Sequence, residues 1–144
     1  MTARIGFAGV SLILPNEWCD VSQDLPSDTP PTLAKAEGVG ALQFSTAKYK
    51  KGALPNIQYE DLWEFLRQLA DSEGLGKPRE TSQSRGVHPF VSGTFSSKGN
   101  LFRVWYISNG RDVTLVSYVA SETESEKAKQ EVAEAETIVA SLDF

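Results

Sequence analysis

The chain has 144 residues, of which 40% are hydrophobic and 23% charged, and its formal net charge is −5. A chain of this length buries roughly 68% of its unfolded surface on folding, so residues 1–144 can form one domain with its own core. The acidic balance argues against nucleic-acid binding, because that affinity depends on basic residues that displace counterions from phosphates.

The sequence carries no export signal that we recognise. Cys19 is the only cysteine, so an intramolecular disulfide cannot form and a secreted, disulfide-stapled protein is excluded. The N-terminal apolar stretch runs directly into Pro15 without a small-residue cleavage site, unlike a signal peptide. No apolar run approaches the ~20 residues that span a bilayer. We expect a cytoplasmic protein without a membrane span, although a chain trimmed of its leader would look the same.

Short strands are predicted at the start of the chain. Apolar residues favour strands over residues 10–14 and 18–21, on either side of Pro15. Residues 25–31 contain three prolines and are predicted to form a loop. Residues 38–49 alternate apolar and polar side chains, which is typical of a strand with one buried face.

A helix is predicted over residues 59–73. Its apolar side chains recur at i, i+3, i+4 and i+7, which places them on one face. Acidic residues suit its N-terminal end and Gly74 suits its termination. The apolar face consists of Leu62, Phe65, Leu66 and Leu69.

An antiparallel meander is predicted after a polar loop over residues 74–85. Its strands cover residues 87–95, 101–108 and 112–120, and its turns fall at Lys98-Gly99 and Asn109-Gly110. Asn-Gly is the strongest short-range hairpin signal, because both residues tolerate the positive φ of a type I′ turn.

Both faces of the middle strand are apolar, so we expect both to be covered. A final helix over residues 123–142 presents small apolar residues that allow close approach to a sheet. The predicted fold class is therefore α+β: an α/β/α sandwich on a mostly antiparallel sheet, with one helix on each face. The two faces of the middle strand are formed by Leu101, Arg103, Trp105 and Ile107, and by Phe102, Val104 and Tyr106.

The order of the predicted elements, with a mid-chain helix and a meander that has an aromatic central strand, resembles the DcrB/PsbP-like superfamily, and two short motifs are the specific parts of this resemblance. They are Leu14-Pro15-Asn16-Glu17-Trp18 after the first strand, and the chain end from Ile138 to Phe144. The resemblance covers nearly the whole chain and implies an α/β/α sandwich. It also implies a binding protein, since the superfamily includes photosystem subunits, Ran-binding factors, bacterial lipoproteins and adaptors of type VI secretion effectors. It implies no catalytic residues.

The sequence predicts no catalytic, cofactor or metal site. His88 has no identifiable nucleophile or proton donor as a partner. Cys19 is predicted to be a buried, inert thiol, because a reactive thiolate needs a cationic neighbour. The segment from Gly74 to Lys77 lacks the spacing of a phosphate-binding loop and follows a helix instead of leading into one.

Aromatic and acidic residues are the candidates for partner binding. The aromatic side chains Trp63, Trp105 and Tyr106 are more than a simple core requires. Protein interfaces are enriched in Trp and Tyr. Whether Trp105 is core or contact surface stays open. Glu131 and Glu134 belong to the acidic stretch 122–136, which contains six glutamates and two lysines. We expect this stretch to attract a basic partner.

Three functions are considered. The first is a non-enzymatic, cytoplasmic protein-binding domain: an immunity protein or an effector adaptor in a bacterial toxin or secretion system. The second is a small-molecule or lipid-binding domain with a cleft between sheet and helix, lined by Trp63, Phe90 and Trp105. The third, an enzyme, would have to combine His88 with carboxylates such as Glu60 and Asp61.

Overall fold

A computed structural model describes residues 3–144. These residues form nine strands, two α-helices and two short 3₁₀ turns, at Ser22–Asp24 and Glu122–Glu124. In chain order the elements are β1 (Ala3–Phe7), β2 (Val10–Leu14), β3 (Trp18–Asp20), β4 (Thr32–Lys35), β5 (Gly40–Ala47), α1 (Tyr59–Glu73), β6 (Glu80–Arg85), β7 (Pro89–Ser97), β8 (Asn100–Ser108), β9 (Val113–Ser121) and α2 (Ser125–Ser141).

Seven strands form one antiparallel sheet in the order β3-β4-β5-β9-β8-β7-β6. Strands β1 and β2 form a separate antiparallel hairpin. Its side chains Phe7, Val10 and Leu12 pack into the same core as α2, so hairpin and helix together cover one face. The predicted α+β class is confirmed. One helix was predicted to cover each face of the sheet, and on the α2 face the hairpin adds to that cover.

The two helices lie on opposite faces of the sheet. Helix α1 packs on β7 and β8 and forms a core with Val104 and Phe95. Helix α2 packs on β2, β9, β5 and β8, in the core that contains Trp105 and Ile107. Because side chains alternate along β8, even-numbered residues face α1 and odd-numbered residues face α2, as the sequence predicts.

Helix α1 spans Tyr59–Glu73, the same range as the predicted helix. A capping box closes its N-terminus, in which the Asp61 carboxylate accepts from the backbone N–H of Gln58 at 2.8 Å. Gly74 ends the helix in the left-handed conformation, with φ 63°. Leu62 and Leu66 are buried, whereas Phe65 and Leu69 lie half-buried at the border of the helix.

Strand β6 corrects the prediction of a loop over residues 74–85. All six of its residues pair with β7, from Glu80 opposite Thr94 to Arg85 opposite Pro89. Its side chains are polar and almost all exposed because it is an edge strand. Without an apolar face, the sequence has no alternation from which a strand could be predicted.

The hairpin turns also differ from the prediction. The type I′ geometry occurs at Lys98-Gly99, where both residues have positive φ (53° and 81°). At the other hairpin, Ser108 pairs with Val113, so the loop has four residues. There Asn109 acts through its side chain, whose Oδ1 accepts from the N–H groups of Arg111 and Asp112 at 2.9 and 2.7 Å.

Neither helix in residues 3–144 is long and apolar enough to cross a lipid bilayer.

Candidate functional site

The sheet face that carries α1 is only partly covered. A helix with its side chains is about 10 Å wide and strands lie about 4.8 Å apart, so one helix covers about two strands. Helix α1 lies over β7 and β8. The same face of β9 and β5 therefore has no helix above it, and Val113, Leu115 and Val119 are half-buried there.

A groove follows this border between α1 and the uncovered strands. It consists of two depressions, of 530 and 450 Å³, which share Leu69 of α1 as a wall. Most of its surface is apolar. We call it the α1-side groove and define it by Phe65, Leu69, Phe102, Tyr106, Val113, Leu115 and Val119.

Helix α1 gives the groove an acidic border. It carries five carboxylates and one cation, Arg67, a local charge of −4. All six side chains are exposed. Arg67 is engaged by neighbours on the helix, at 3.0 Å from Asp71 and in contact with Glu64. The carboxylates are Glu60, Asp61, Glu64, Asp71 and Glu73.

Trp63 and Tyr106 both lie on the α1 side. Trp63 is half-buried, and its indole N–H donates to Oε1 of Gln83 on β6 at 2.7 Å. Tyr106 lines the groove with its ring 5.8 Å from that of Phe65. Burial raises the pKa of the Tyr106 hydroxyl above its usual value. Of the two, Tyr106 is the one that forms part of the groove.

Trp105 belongs to the core. It is 0% exposed and lies beneath α2, where its indole N–H donates to Glu136. The open question about this residue is settled: it is not a contact surface. The cleft predicted from Trp63, Phe90 and Trp105 is also wrong, because Phe90 packs with Trp105 in the α2-side core whereas Trp63 lies on the α1 side.

Glu131 is a buried structural carboxylate, only 3% exposed. It accepts three hydrogen bonds: from the Val39 and Gly40 N–H groups at 2.9 and 3.1 Å, and from the Tyr118 hydroxyl at 2.8 Å. Burial, together with this hydrogen bond, raises the pKa of Tyr118. Glu131 is therefore buried and does not belong to an exposed acidic surface, which corrects that part of the prediction.

Glu134 is half-buried and also bonded within the protein. It accepts from the Trp18 indole N–H at 2.8 Å and lies 3.1 Å from Lys35 Nζ. Burial alone would raise the pKa of Glu134, but the hydrogen bonds from Trp18 and Lys35 outweigh burial and lower it. With Glu131 and Glu136 engaged as well, half of the six glutamates in residues 122–136 serve the fold. The freely exposed acidic helix is α1.

The other candidates from the sequence occupy structural positions. His88 Nε2 lies 2.7 Å from Asp143 Oδ1, and its ring packs edge-on against Phe144 at 5.4 Å. This contact fastens the end of the chain. Cys19 is exposed, not buried as predicted, because it lies on the edge strand β3. Its thiol donates to the Ala34 carbonyl at 3.4 Å.

The groove residues Leu69, Leu115 and Val119 were not predicted from the sequence as partner-binding residues. The sequence of β9 contained a sign of this groove, because both faces of the strand are largely apolar. Only the mid-chain helix is predicted to cover the face that carries Leu115 and Val119. One helix covers about two strands, so part of that face stays open.

No family model and no curated protein matches the chain. Solved structures do match it over almost its full length. A Bacteroides thetaiotaomicron VPI-5482 protein superimposes with a TM-score of 0.61 at 14% identity, covering 99% of this chain and 48% of its own. This chain thus spans about half of that protein.

Two further structures have the same architecture. Cyanobacterial PsbP (CyanoP) from Synechocystis sp. PCC 6803 matches with a TM-score of 0.56 at 12% identity, covering 99% of this chain and 92% of that one. LpqN of Mycobacterium tuberculosis, described as involved in cell envelope biogenesis, matches with 0.51 at 16% identity, covering 100% and 91%. These matches show that the chain shares its overall fold with PsbP-like structures. At these identities the likeness concerns the fold.

Proposed function

We propose that this chain is a non-enzymatic, cytoplasmic protein-binding domain that receives its partner in the α1-side groove. The observation that carries the proposal is the partly covered sheet face: an apolar surface next to an exposed helix of charge −4. Apolar surface that a protein leaves open and rims with polar residues is typical of interaction sites.

The partner's contact surface should combine apolar side chains with basic ones. Leu115 and Val119 offer apolar contact area, and the carboxylates of α1 favour cations at the border. Complementary charge at the rim mainly accelerates association and selects the partner, so the association rate should fall with added salt.

Within this class we propose an immunity protein or an effector adaptor. Both bind one cognate protein and need no chemistry of their own, which suits a small acidic domain. The two roles differ in outcome. An immunity protein restores growth to cells that produce the toxin, whereas an adaptor is required for the effector to be loaded and secreted.

The proposed cytoplasmic location has support from Cys19, an exposed free thiol of the kind that persists in a reducing compartment. The proposed lack of enzymatic activity is supported by the structural contacts of His88. Its imidazole is engaged by Asp143 and Phe144, and Asp61, one of the carboxylates considered with it, caps α1.

The groove is tested by placing a charge inside it. Proteins encoded beside this gene are co-expressed with it, and binding is measured by copurification and titration. The Leu115→Glu substitution should weaken binding at least about tenfold, because a carboxylate is then buried against apolar partner atoms. Ala133→Glu on α2, an exposed position on the opposite face, is the control and should bind normally.

The acidic border is tested by a matched pair of charge reversals. Asp71→Lys with Glu73→Lys changes α1, and Glu122→Lys with Glu124→Lys makes the same charge change in the 3₁₀ turn that precedes α2. Only the α1 pair should slow association and reduce its salt dependence. Equal effects of both pairs, or no effect of Leu115→Glu on a confirmed complex, would contradict the proposal.

A further inference from the structure

A second cleft lies on the opposite side of the sheet, between α2 and the strands β6, β7 and β8. Its volume is 590 Å³, within the range of small-molecule sites. It runs along α2 from Ser125 to Glu136, a distance of about 16 Å at the rise of an α-helix. Its principal walls are Arg79, Leu101, Arg103, Lys129, Val132 and Glu136.

Arg103 is the unusual member of this cleft. It is 7% exposed, although arginine is almost never buried without close ionic partners. Its terminal nitrogens donate to Thr94 Oγ1 at 2.7 Å and Ser82 Oγ at 3.4 Å, both neutral acceptors. Its Nε finds no acceptor among residues 3–144.

Two carboxylates approach Arg103 without forming hydrogen bonds. Glu80 and Glu136 each lie 3.6 Å from one of its terminal nitrogens. Exposed Arg67 is better paired, with Asp71 at 3.0 Å and Glu64 in direct contact. The Arg103 guanidinium also lies over the Trp105 ring, 5.7 Å from its centroid. Its charge is thus compensated without a hydrogen bond to any carboxylate among residues 3–144.

The cleft is positive within a protein of net charge −5. Arg79, Arg103 and Lys129 oppose Glu80 and Glu136, which leaves one positive charge. This excess of positive charge favours an anionic ligand. The rest of the lining is largely apolar, with Leu101, Val132 and Ala133 among its members.

We propose that this cleft binds a small organic carboxylate with an apolar body. The carboxylate lies at the terminal nitrogens of Arg103, whose planar group matches it in geometry, and near Lys129. The apolar body lies along α2 against Val132 and Leu101. This site is separate from the α1-side groove, and its existence does not depend on the protein partner.

Glu80 and Glu136 have different roles in this arrangement. The Glu80 side chain is 73% exposed, so it can turn into solvent as the ligand carboxylate replaces it. Glu136 is held by the Trp105 indole, and it stays in place. The Trp105 indole N–H is therefore a built-in reporter of the site, and the Trp63 indole on the other side of the sheet is its internal control.

The probe is decanoate, titrated below its micelle concentration and followed by calorimetry and by the indole N–H resonances. We expect saturable binding that shifts the Trp105 resonance and leaves that of Trp63 in place. Decanol, without the charge, and acetate, without the apolar body, should each bind at least about tenfold more weakly. Equal binding of decanol or of acetate would overturn the proposal.

A matched pair of variants on α2 locates the binding. Lys129→Glu reverses a charge inside the cleft, and Lys127→Glu makes the same change at an exposed position outside it. The first should weaken decanoate binding about tenfold or more, and the second should leave it unchanged.

Ala133→Trp tests the space itself. Ala133 is exposed at the cleft wall, so a large side chain there fills the cleft without disturbing the core. We expect it to abolish the Trp105 shift. Binding that survives this substitution, that is equal in Lys129→Glu and Lys127→Glu, or that is undetectable in the unsubstituted protein would overturn the proposal. None of these measurements uses the core residue Arg103, whose replacement risks unfolding.

Discussion

Glu131 fastens three elements at a single point. From α2 it reaches the backbone at the start of β5 through Val39 and Gly40, and the side chain of Tyr118 on β9. Three donors satisfy the carboxylate, which explains how a charged group is tolerated at 3% exposure. Gly40 is required beside it, because a Cβ at that position would lie 2.4 Å from the Tyr118 ring.

Replacement of Glu131 should therefore cost stability. Glu131→Ala leaves a buried hydroxyl and two backbone N–H groups without acceptors, and we expect a loss of about 3 kcal/mol in the free energy of unfolding. Glu126→Ala, an exposed position on the same helix, should change it by less than about 0.5 kcal/mol. Urea denaturation of both variants measures this. Similar losses in the two would contradict the structural role of Glu131.

The end of the chain should respond to pH through Asp143. The hydrogen bond from His88 is the main cause that lowers the pKa of Asp143. A carboxyl whose folded pKa lies below its unfolded value of about 3.9 adds stability above that pH, and this stability is lost as the pH falls through the folded pKa.

Asp143→Asn should consequently be less stable than the unsubstituted protein at pH 7, and the difference should shrink as the pH falls through the lowered pKa of Asp143. Thermal unfolding across this pH range provides the measurement. Asp28→Asn, at an exposed loop position, serves as the control and should show no such trend. A difference for Asp143→Asn that is constant with pH would contradict the assigned cause.

At the scale of elements, the turn between β7 and β8 restricts the backbone conformation of its two residues most strongly. Lys98 and Gly99 both have positive φ, and a Cβ on Gly99 would meet no atom within 4 Å. Any cost of a side chain there is thus conformational. Lysine is a poor residue for the left-handed region, whereas asparagine enters it readily.

Gly99→Ala should lose about 1 kcal/mol of folding free energy, the penalty of the left-handed conformation for an L-residue. Lys98→Asn should gain a few tenths of a kcal/mol, and Lys77→Asn, in an exposed loop, should be neutral. Chemical denaturation distinguishes the three. A loss on Lys98→Asn would show that this turn does not have the type I′ conformation in solution.

Elements with a strong periodic pattern were predictable from the sequence. Helix α1 and the strands β7 to β9 have apolar side chains at the spacing of their secondary structure, so packing and local preference agree. Strand β6 lacks such a pattern, because its order comes from pairing with β7 and not from burial. The Asn109-Gly110 turn was placed correctly, but its loop length depends on the register of β8 and β9.

The candidate site was less predictable than the fold. Of the residues predicted to bind a partner, Tyr106 lines the groove. Trp105 on β8 and Glu131 on α2 are buried instead. Composition and spacing record that a side chain is aromatic or acidic. They do not record which residues that side chain contacts in the folded protein. Those contacts determine that Glu131 is buried in the core whereas Glu73 is exposed on the surface.

At the scale of the whole molecule, the two faces of the sheet are unequal. Helix α2 and the β1–β2 hairpin together cover one face, while α1 alone lies on the other. The protein therefore has an apolar strip beside an acidic helix, and on the opposite side a positive cleft around Arg103. The proposed protein partner and the proposed small carboxylate would therefore occupy separate surfaces.

The central claim, that a partner protein occupies the α1-side groove, is tested most directly by site-specific photo-crosslinking in cells. A photoreactive residue is placed at Ser72, on the α1 rim of the groove, or at Thr137, an exposed position on α2. We predict a discrete crosslinked protein from Ser72, absent from Thr137 and lost when Leu115→Glu is added. A crosslink from Thr137 alone, or one from Ser72 that Leu115→Glu leaves intact, would contradict the claim.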